Sequence, residues 1–162
     1  MGNYANERVD RLNSKNVSQE SPLMKRNTIT VAENGRKYSV DIVNGAESVA
    51  YQIDGEAIRD GNKCDKFVAA VKDDNGIAIF VELKGKDITH AIEQLEATVK
   101  HRLFMPYPRQ DDFARARIVT LNSGPASASK VKFIQAQNRF KKLYNIDLQI
   151  RKGSQKDNPI DF

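Results

Sequence analysis

The stretch DKFVAAVKDDNGIAIFVELKG, residues 65–85, decides the fold. It contains two apolar runs, Lys66–Val71 and Ile77–Leu83, separated by the turn-forming sequence Asp-Asp-Asn-Gly. Val, Ile and Phe favour strands, and Asp, Asn and Gly favour the turns between them. The stretch therefore predicts a β-hairpin whose strands lie close to a buried core.

The sequence before this hairpin also has strand character. Asn34-Gly35 separates Thr28–Ala32 from Lys37–Val43, which is a strong hairpin signal. Ser48–Ile53 is compatible with a third strand or with a short helix. The first 27 residues are polar, and we interpret them as either a flexible arm or a short helix around Asn6–Lys15.

The sequence after the hairpin alternates between helix and strand. Apolar residues recur at helical spacing over residues 87–103, where Asp87 is a candidate N-cap, and Ala114–Leu121 reads as a strand. A second helix begins at Ser127 or Ser129 and continues to about Tyr144, and a last strand covers Asp147–Arg151. We expect the following residues of this second helix to face the core: Phe133, Ala136, Phe140, Leu143 and Tyr144. The order predicts a single α/β domain with a mixed sheet over residues 28–152, followed by a polar tail over residues 153–162.

Composition excludes several classes of protein and site. The chain has 162 residues, of which 40% are hydrophobic, but no apolar stretch approaches the roughly 20 residues of a membrane span. One cysteine excludes an internal disulfide, and two histidines make a histidine-based metal site improbable. We expect a cytoplasmic protein without a membrane partner.

The net charge of +5 hides a division along the chain. Residues 28–99 contain 8 Lys or Arg against 13 Asp or Glu, whereas residues 100–152 contain 12 against 3. An acidic half is suited to binding a cation and a basic half to binding a polyanion. Solvated lysine-rich helix faces are the alternative interpretation of the basic half.

The end of the second hairpin strand carries the candidate chemistry. Glu82 and Lys84 are two residues apart and share one face of the strand, while Leu83 points into apolar packing on the other. A loop over residues 73–76 would place Asp65 opposite Lys84, and a loop of Asn75-Gly76 would place it opposite Lys86. Either even-length loop leaves Asp65 on the face of Glu82 and Lys84.

Two carboxylates on a rigid hairpin are suited to holding Mg²⁺ or Mn²⁺. Asp65 and Glu82, with the carbonyl of Leu83, would supply hard oxygen ligands. The metal would hold a phosphate oxygen and activate a water, and Lys84 would orient that water or neutralise the phosphate. A simple cross-strand ion pair between Asp65 and Lys84 is the alternative.

These residues and the elements that follow them resemble the PD-(D/E)XK nuclease superfamily, which has the restriction-endonuclease-like fold. The resemblance covers residues 60–122 and implies a mixed β-sheet flanked by helices. It implies that Asp65 and Glu82 bind metal, that Lys84 is catalytic, and that Gln94 is the glutamine found after the triplet in some branches. Cys64 stands where the family motif has proline.

The basic half adds a candidate nucleic-acid interface, with DNA favoured. A surface of this kind would neutralise backbone phosphates without reading sequence. Its predicted residues are Arg115, Arg117, Lys130, Lys132, Arg139, Lys141 and Lys142. Cutting both strands of a duplex needs two sites, which favours a homodimer. A non-catalytic nucleic-acid-binding module and a scaffold subunit of a larger complex are the alternatives.

Overall fold

The computed structural model describes residues 2–55, 57–58, 61, 63–83, 87–120, 127–153 and 155–162, the side chains of residues 127 and 128 excepted. Within these residues the chain is an α/β protein with a six-strand mixed sheet, a three-strand sheet and three α-helices. The helices are α1 (Tyr4–Ser14), α2 (Ile88–Val99) and α3 (Ser127–Arg139), and a π-helical turn, Phe140–Tyr144, extends α3. The strands are β1 (Gln19–Lys25), β2 (Thr28–Glu33), β3 (Arg36–Ile42), β4 (Glu47–Gln52), β5 (Lys66–Lys72), β6 (Asn75–Glu82), β7 (Phe113–Thr120), β8 (Asp147–Lys152) and β9 (Asp157–Ile160).

The strand order of the larger sheet, β1-β4-β5-β6-β7-β8, brings functional side chains to one edge. Strands β4, β5 and β6 pair antiparallel, whereas β6, β7 and β8 are parallel to one another. The carboxyl ends of β6, β7 and β8 therefore lie at the same edge as the start of β5. We call this edge the carboxyl edge.

Two apolar cores lie on the two faces of the larger sheet. Alternation along β5 and β6 places Phe67 and Phe80 in the core under the helices, and Val68 and Ile79 in the core under the three-strand sheet. Phe67, Phe80 and Phe104 pack with ring centroids 5.1 Å apart. Burial of each such side chain contributes roughly 1.5–3 kcal/mol, so the hairpin that carries Glu82 is firmly anchored.

The register of the β5–β6 hairpin differs from both predicted loops. Lys72 pairs with Asn75, so the turn consists of Asp73 and Asp74, and Asp73 has a left-handed φ of 53°. Asp65 accordingly lies opposite Glu82, neither opposite Lys84 nor opposite Lys86. The observed register differs from each of the two predicted registers by an even number of residues. Asp65 and Glu82 therefore stay on one face of the hairpin.

The helix predictions agree with the structure at their centres and differ at their ends. Asp87 is the N-cap of α2 and accepts a hydrogen bond from the His90 N–H, as predicted, but the helix ends at Val99. Leu143 is 60% exposed, contrary to prediction, because the π-helical turn places Phe140 and Tyr144 in the core and turns Leu143 outward.

Both terminal segments belong to the folded domain. The helical option for the first 27 residues is the observed one, since α1 packs four buried apolar side chains into the larger core, and β1 pairs with β4. The predicted polar tail contains β9, which pairs in parallel with β3. The ambiguous segment Ser48–Ile53 falls on strand β4. No helix in the described part of the chain is long and apolar enough to cross a membrane.

Candidate active site at the carboxyl edge

Asp65 and Glu82 are held next to each other by the backbone N–H groups of Asp65 and Leu83. The Asp65 N–H donates to Glu82 Oε1 at 3.2 Å, and the Leu83 N–H donates to Asp65 Oδ2 at 2.8 Å. Asp65 is 6% exposed and Glu82 is fully buried, because the apolar strands on both sides continue to this edge. The structure therefore brings together the two carboxylates that the sequence predicts, with little freedom for either to move.

Further charged groups surround the pair, and the sequence does not single them out. Burial, a hydrogen bond to the Asp65 carboxyl and the charge of Asp65 raise the pKa of Glu33, which comes from the three-strand sheet. Lys66 is buried, and its Nζ lies 2.6 Å from Glu20 Oε1 and 3.9 Å from Glu33 Oε1. No motif in the sequence connects Glu20 or Glu33 to residue 65, since only the packing of β1 and β2 brings them there.

Helix α2 is attached to the same edge through Thr98. The Cys64 N–H donates to Thr98 Oγ1 at 2.7 Å, and Thr98 Oγ1 donates to the Gln94 carbonyl at 2.9 Å. This chain of contacts connects the backbone of the predicted Gln94 to the residue before Asp65. The Gln94 Oε1 atom is buried and has no hydrogen-bond partner among the described residues.

Cys64 is adjacent to the pair but is not activated. Burial and the charges of Glu82 and Asp65 raise the pKa of the Cys64 thiol far above its usual range. A nucleophilic cysteine needs a lowered pKa, so the neutral thiol acts as a small apolar side chain in the core.

The donor set fits Mg²⁺ or Mn²⁺. No group of three or more His, Cys, Asp or Glu side chains within the described ranges is arranged to hold a metal. Mg²⁺ usually takes only one or two carboxylates and completes its shell with waters and substrate phosphates. Asp65 and Glu82 meet that requirement. Lys84 lies outside the described residues, and both its role and that of the Leu83 carbonyl stay predictions.

Two of the predicted nucleic-acid-binding residues contact carboxylates, Arg117 in the interior and Arg115 in a half-buried position. Arg117 is 1% exposed, and its Nε lies 2.9 Å from Asp157 Oδ2, while Arg115 Nη1 lies 3.3 Å from the same oxygen. Arg117 Nη2 also contacts Asp147 at 3.1 Å. Burial and its two carboxylate partners leave Arg117 closed to phosphate, whereas the role of the partly exposed Arg115 stays a prediction.

The remaining predicted cations lie on or beside α3. Arg139 forms a two-pronged contact with Glu96 at 2.7 and 3.1 Å. The others are exposed and have no ion-pair partner in the described part of the chain: Lys130, Lys132, Lys141 and Lys142. Four exposed lysines therefore remain from the predicted interface.

Comparisons of this chain with protein-family models, with curated proteins and with solved structures found no match. The nuclease resemblance thus depends on the residues named above and on their order along the chain. The geometry of Asp65 and Glu82 is the observation on which any assignment of function has to be built.

Proposed function

We propose that this chain is a Mg²⁺- or Mn²⁺-dependent nuclease that hydrolyses phosphodiester bonds in DNA. The observation that carries the proposal is that backbone N–H groups hold the Asp65 and Glu82 carboxylates next to each other at the carboxyl edge. Two buried carboxylates repel each other, and a bound divalent cation removes that repulsion.

Asp65 and Glu82 would hold the metal in this proposal. A bound metal would polarise a phosphate oxygen and would lower the pKa of a coordinated water. The protein contributes fixed ligands, because the backbone N–H groups of residues 65 and 83 orient the two carboxylates before the metal arrives. Lys84 is the proposed group that orients the attacking water.

The order of elements supports a restriction-endonuclease-like arrangement. Asp65 precedes β5, Glu82 ends β6, and α2 leads to β7, which runs parallel to β6. Gln94 on α2 has its backbone tied to residue 64, so the helix is fixed against the proposed metal site. A homodimer would supply the two sites that cutting a duplex requires.

A second candidate is a non-catalytic module that binds nucleic acid or serves as a scaffold subunit. It is favoured by the exposed lysines of α3, which alternate with the exposed apolar residues Val131 and Ile134. That surface does not depend on the carboxylates.

Cleavage of supercoiled plasmid and of single-stranded DNA, with Mg²⁺ or Mn²⁺, separates the two candidates. We expect Asp65→Asn and Glu82→Gln to reduce the rate by about 100-fold or more, because a metal ligand contributes several kcal/mol to the transition state. Glu47→Gln is the matched control, since Glu47 is exposed at the far end of the sheet. If wild type cuts no better than Glu82→Gln, the nuclease proposal fails.

A further inference from the structure

Thr120, the last residue of β7, lines two cavities. The first, of about 420 Å³, lies between Thr120 and the tip of the β2–β3 hairpin and is lined by Arg36 and Lys37. The second, of about 550 Å³, lies between β8 and α3 and is lined by Lys130 and Lys152. Thr120 lines both cavities, which lie on the two faces of the larger sheet, and we call the two cavities together the Thr120 groove.

The hydroxyl of Thr120 is unpaired within the described ranges. Thr120 is only 2% exposed, and its Oγ1 is buried without a hydrogen-bond partner. Its carbonyl accepts a hydrogen bond from the Gly153 N–H at 2.8 Å, so the backbone position is fixed. A buried hydroxyl without a partner costs roughly 1–3 kcal/mol, and such groups are rare unless a ligand or water satisfies them. The hydroxyl is therefore placed to donate to an acceptor in the groove.

The cations of the groove are also unpaired. Among the described residues, Arg36, Lys37, Lys130 and Lys152 form no ion pair. The Arg36 Nε is buried and lacks a hydrogen-bond partner there as well. Several unpaired cations in the two cavities on either side of Thr120 complement a polyanion rather than a single small anion.

Thr120 lies near the carboxylate pair in the sheet. Glu82 pairs with Ile118 across β6 and β7, and Thr120 follows two residues later on the same face. The spacing of strands and residues in a sheet places the Cα atoms of Glu82 and Thr120 about 8 Å apart. A phosphate at Thr120 would thus lie next to a metal held by Asp65 and Glu82.

We propose that the Thr120 groove guides the backbone of a DNA strand to the carboxylate pair, with Thr120 Oγ1 donating to a phosphate oxygen. This inference rests on the proposed nuclease function. It assigns phosphate binding to Arg36, Lys37 and Lys152, which the sequence did not indicate. It also retains Lys130, which belongs to the interface predicted from the sequence.

Fluorescence anisotropy of a labelled single-stranded DNA, in EDTA and over a range of salt, tests the groove separately from catalysis. We expect the double variant Arg36→Gln with Lys152→Gln to weaken binding at least tenfold. The slope of log K against log salt concentration should fall in magnitude by about 1.4, because two phosphate contacts are lost. We expect Thr120→Val to weaken binding by about tenfold, which is the loss of one hydrogen bond to a charged group. Lys25→Gln with Lys72→Gln is the matched control of equal charge, at the opposite end of the sheet, and should leave the affinity within about twofold of wild type.

The outcomes separate the groove from the nuclease proposal. If wild type cleaves DNA while the groove variants bind and cleave as wild type does, the groove is wrong and the nuclease function stands. If no cleavage occurs but the groove variants lose affinity as described, the groove stands and the nuclease function fails. Loss confined to the Lys25 and Lys72 control, or no DNA binding by wild type, overturns the groove.

Discussion

Two regions of this molecule bury charged side chains, and they do so in opposite ways. In the first, which we call the Asp157 cluster, one carboxylate with a fully buried side chain is contacted by three guanidinium groups. Asp157 lies 2.9 Å from Arg117, 3.3 Å from Arg115 and 3.1 Å from Arg151, and it accepts a hydrogen bond from Tyr38 at 2.5 Å. The negative charge is more than matched, and the contacts attach β9 to β3 and β7.

At the carboxyl edge the described residues place carboxylates next to one another. Asp65 lies beside both Glu33 and Glu82, and Lys66 contacts Glu20 and Glu33. A buried pair of opposite charges is explained by structure alone, whereas adjacent buried carboxylates oppose folding unless something neutralises them. The Asp157 cluster is therefore explained by the stability of the fold, whereas the proposed role of the carboxyl edge is to bind a cation.

The largest expected effect on stability comes from Asp157→Asn. The substitution leaves the buried Arg117 without its main partner, which typically costs about 3–5 kcal/mol. Urea unfolding measures the change, and Asp111→Asn, at an exposed position, is the control that should stay within about 0.5 kcal/mol of wild type. A loss below about 1 kcal/mol would show that the Asp157 cluster is not a stabilising one.

A smaller effect is expected in acid. Burial opposes the charge of Asp157, but Arg117, Tyr38 and Arg115 outweigh it and lower the pKa of the carboxyl. A carboxyl with a lowered folded-state pKa stabilises the fold above its ordinary pKa of about 3.9, and this contribution is lost as the pH falls through the folded value. The free energy of unfolding of wild type should thus approach that of Asp157→Asn between pH 4 and pH 2. An equal difference between them at pH 7 and pH 2 would contradict the assignment.

The smallest expected effect comes from Asp65→Asn. The asparagine carbonyl keeps an acceptor for the Leu83 N–H, and the substitution removes a charge beside Glu33 and Glu82. Without metal, we expect the free energy of unfolding to stay within about 1 kcal/mol of wild type or to rise. A loss as large as that of Asp157→Asn would mean that both regions are structural.

The central strands of the sheet could be predicted because their apolar runs and turn residues are local signals. The register of the β5–β6 hairpin could not, because Asn75-Gly76 is the stronger turn signal, yet the chain turns at Asp73 and Asp74. The face shared by Asp65 and Glu82 was nevertheless predictable, since strand side chains alternate with a period of two.

The parts missed by the sequence depend on distant contacts. Strand β1 is largely exposed at a sheet edge and contains Pro22, so it lacks the alternation that marks a strand. Strand β9 has four residues and is held by Asp157, whose partners lie 40 or more residues away along the chain, Arg151 excepted. Charge counts placed Arg115 and Arg117 in an interface because a count does not distinguish a paired guanidinium from a free one.

The most direct test of the central claim is the binding of Mn²⁺, followed by electron paramagnetic resonance in the absence of DNA. Wild type should bind about one ion per chain, and the double variant Asp65→Asn with Glu82→Gln should lose at least about tenfold in affinity. Glu47→Gln should bind as wild type does. Equal binding by wild type and the double variant, or no binding by either, would contradict a cation site at the carboxyl edge.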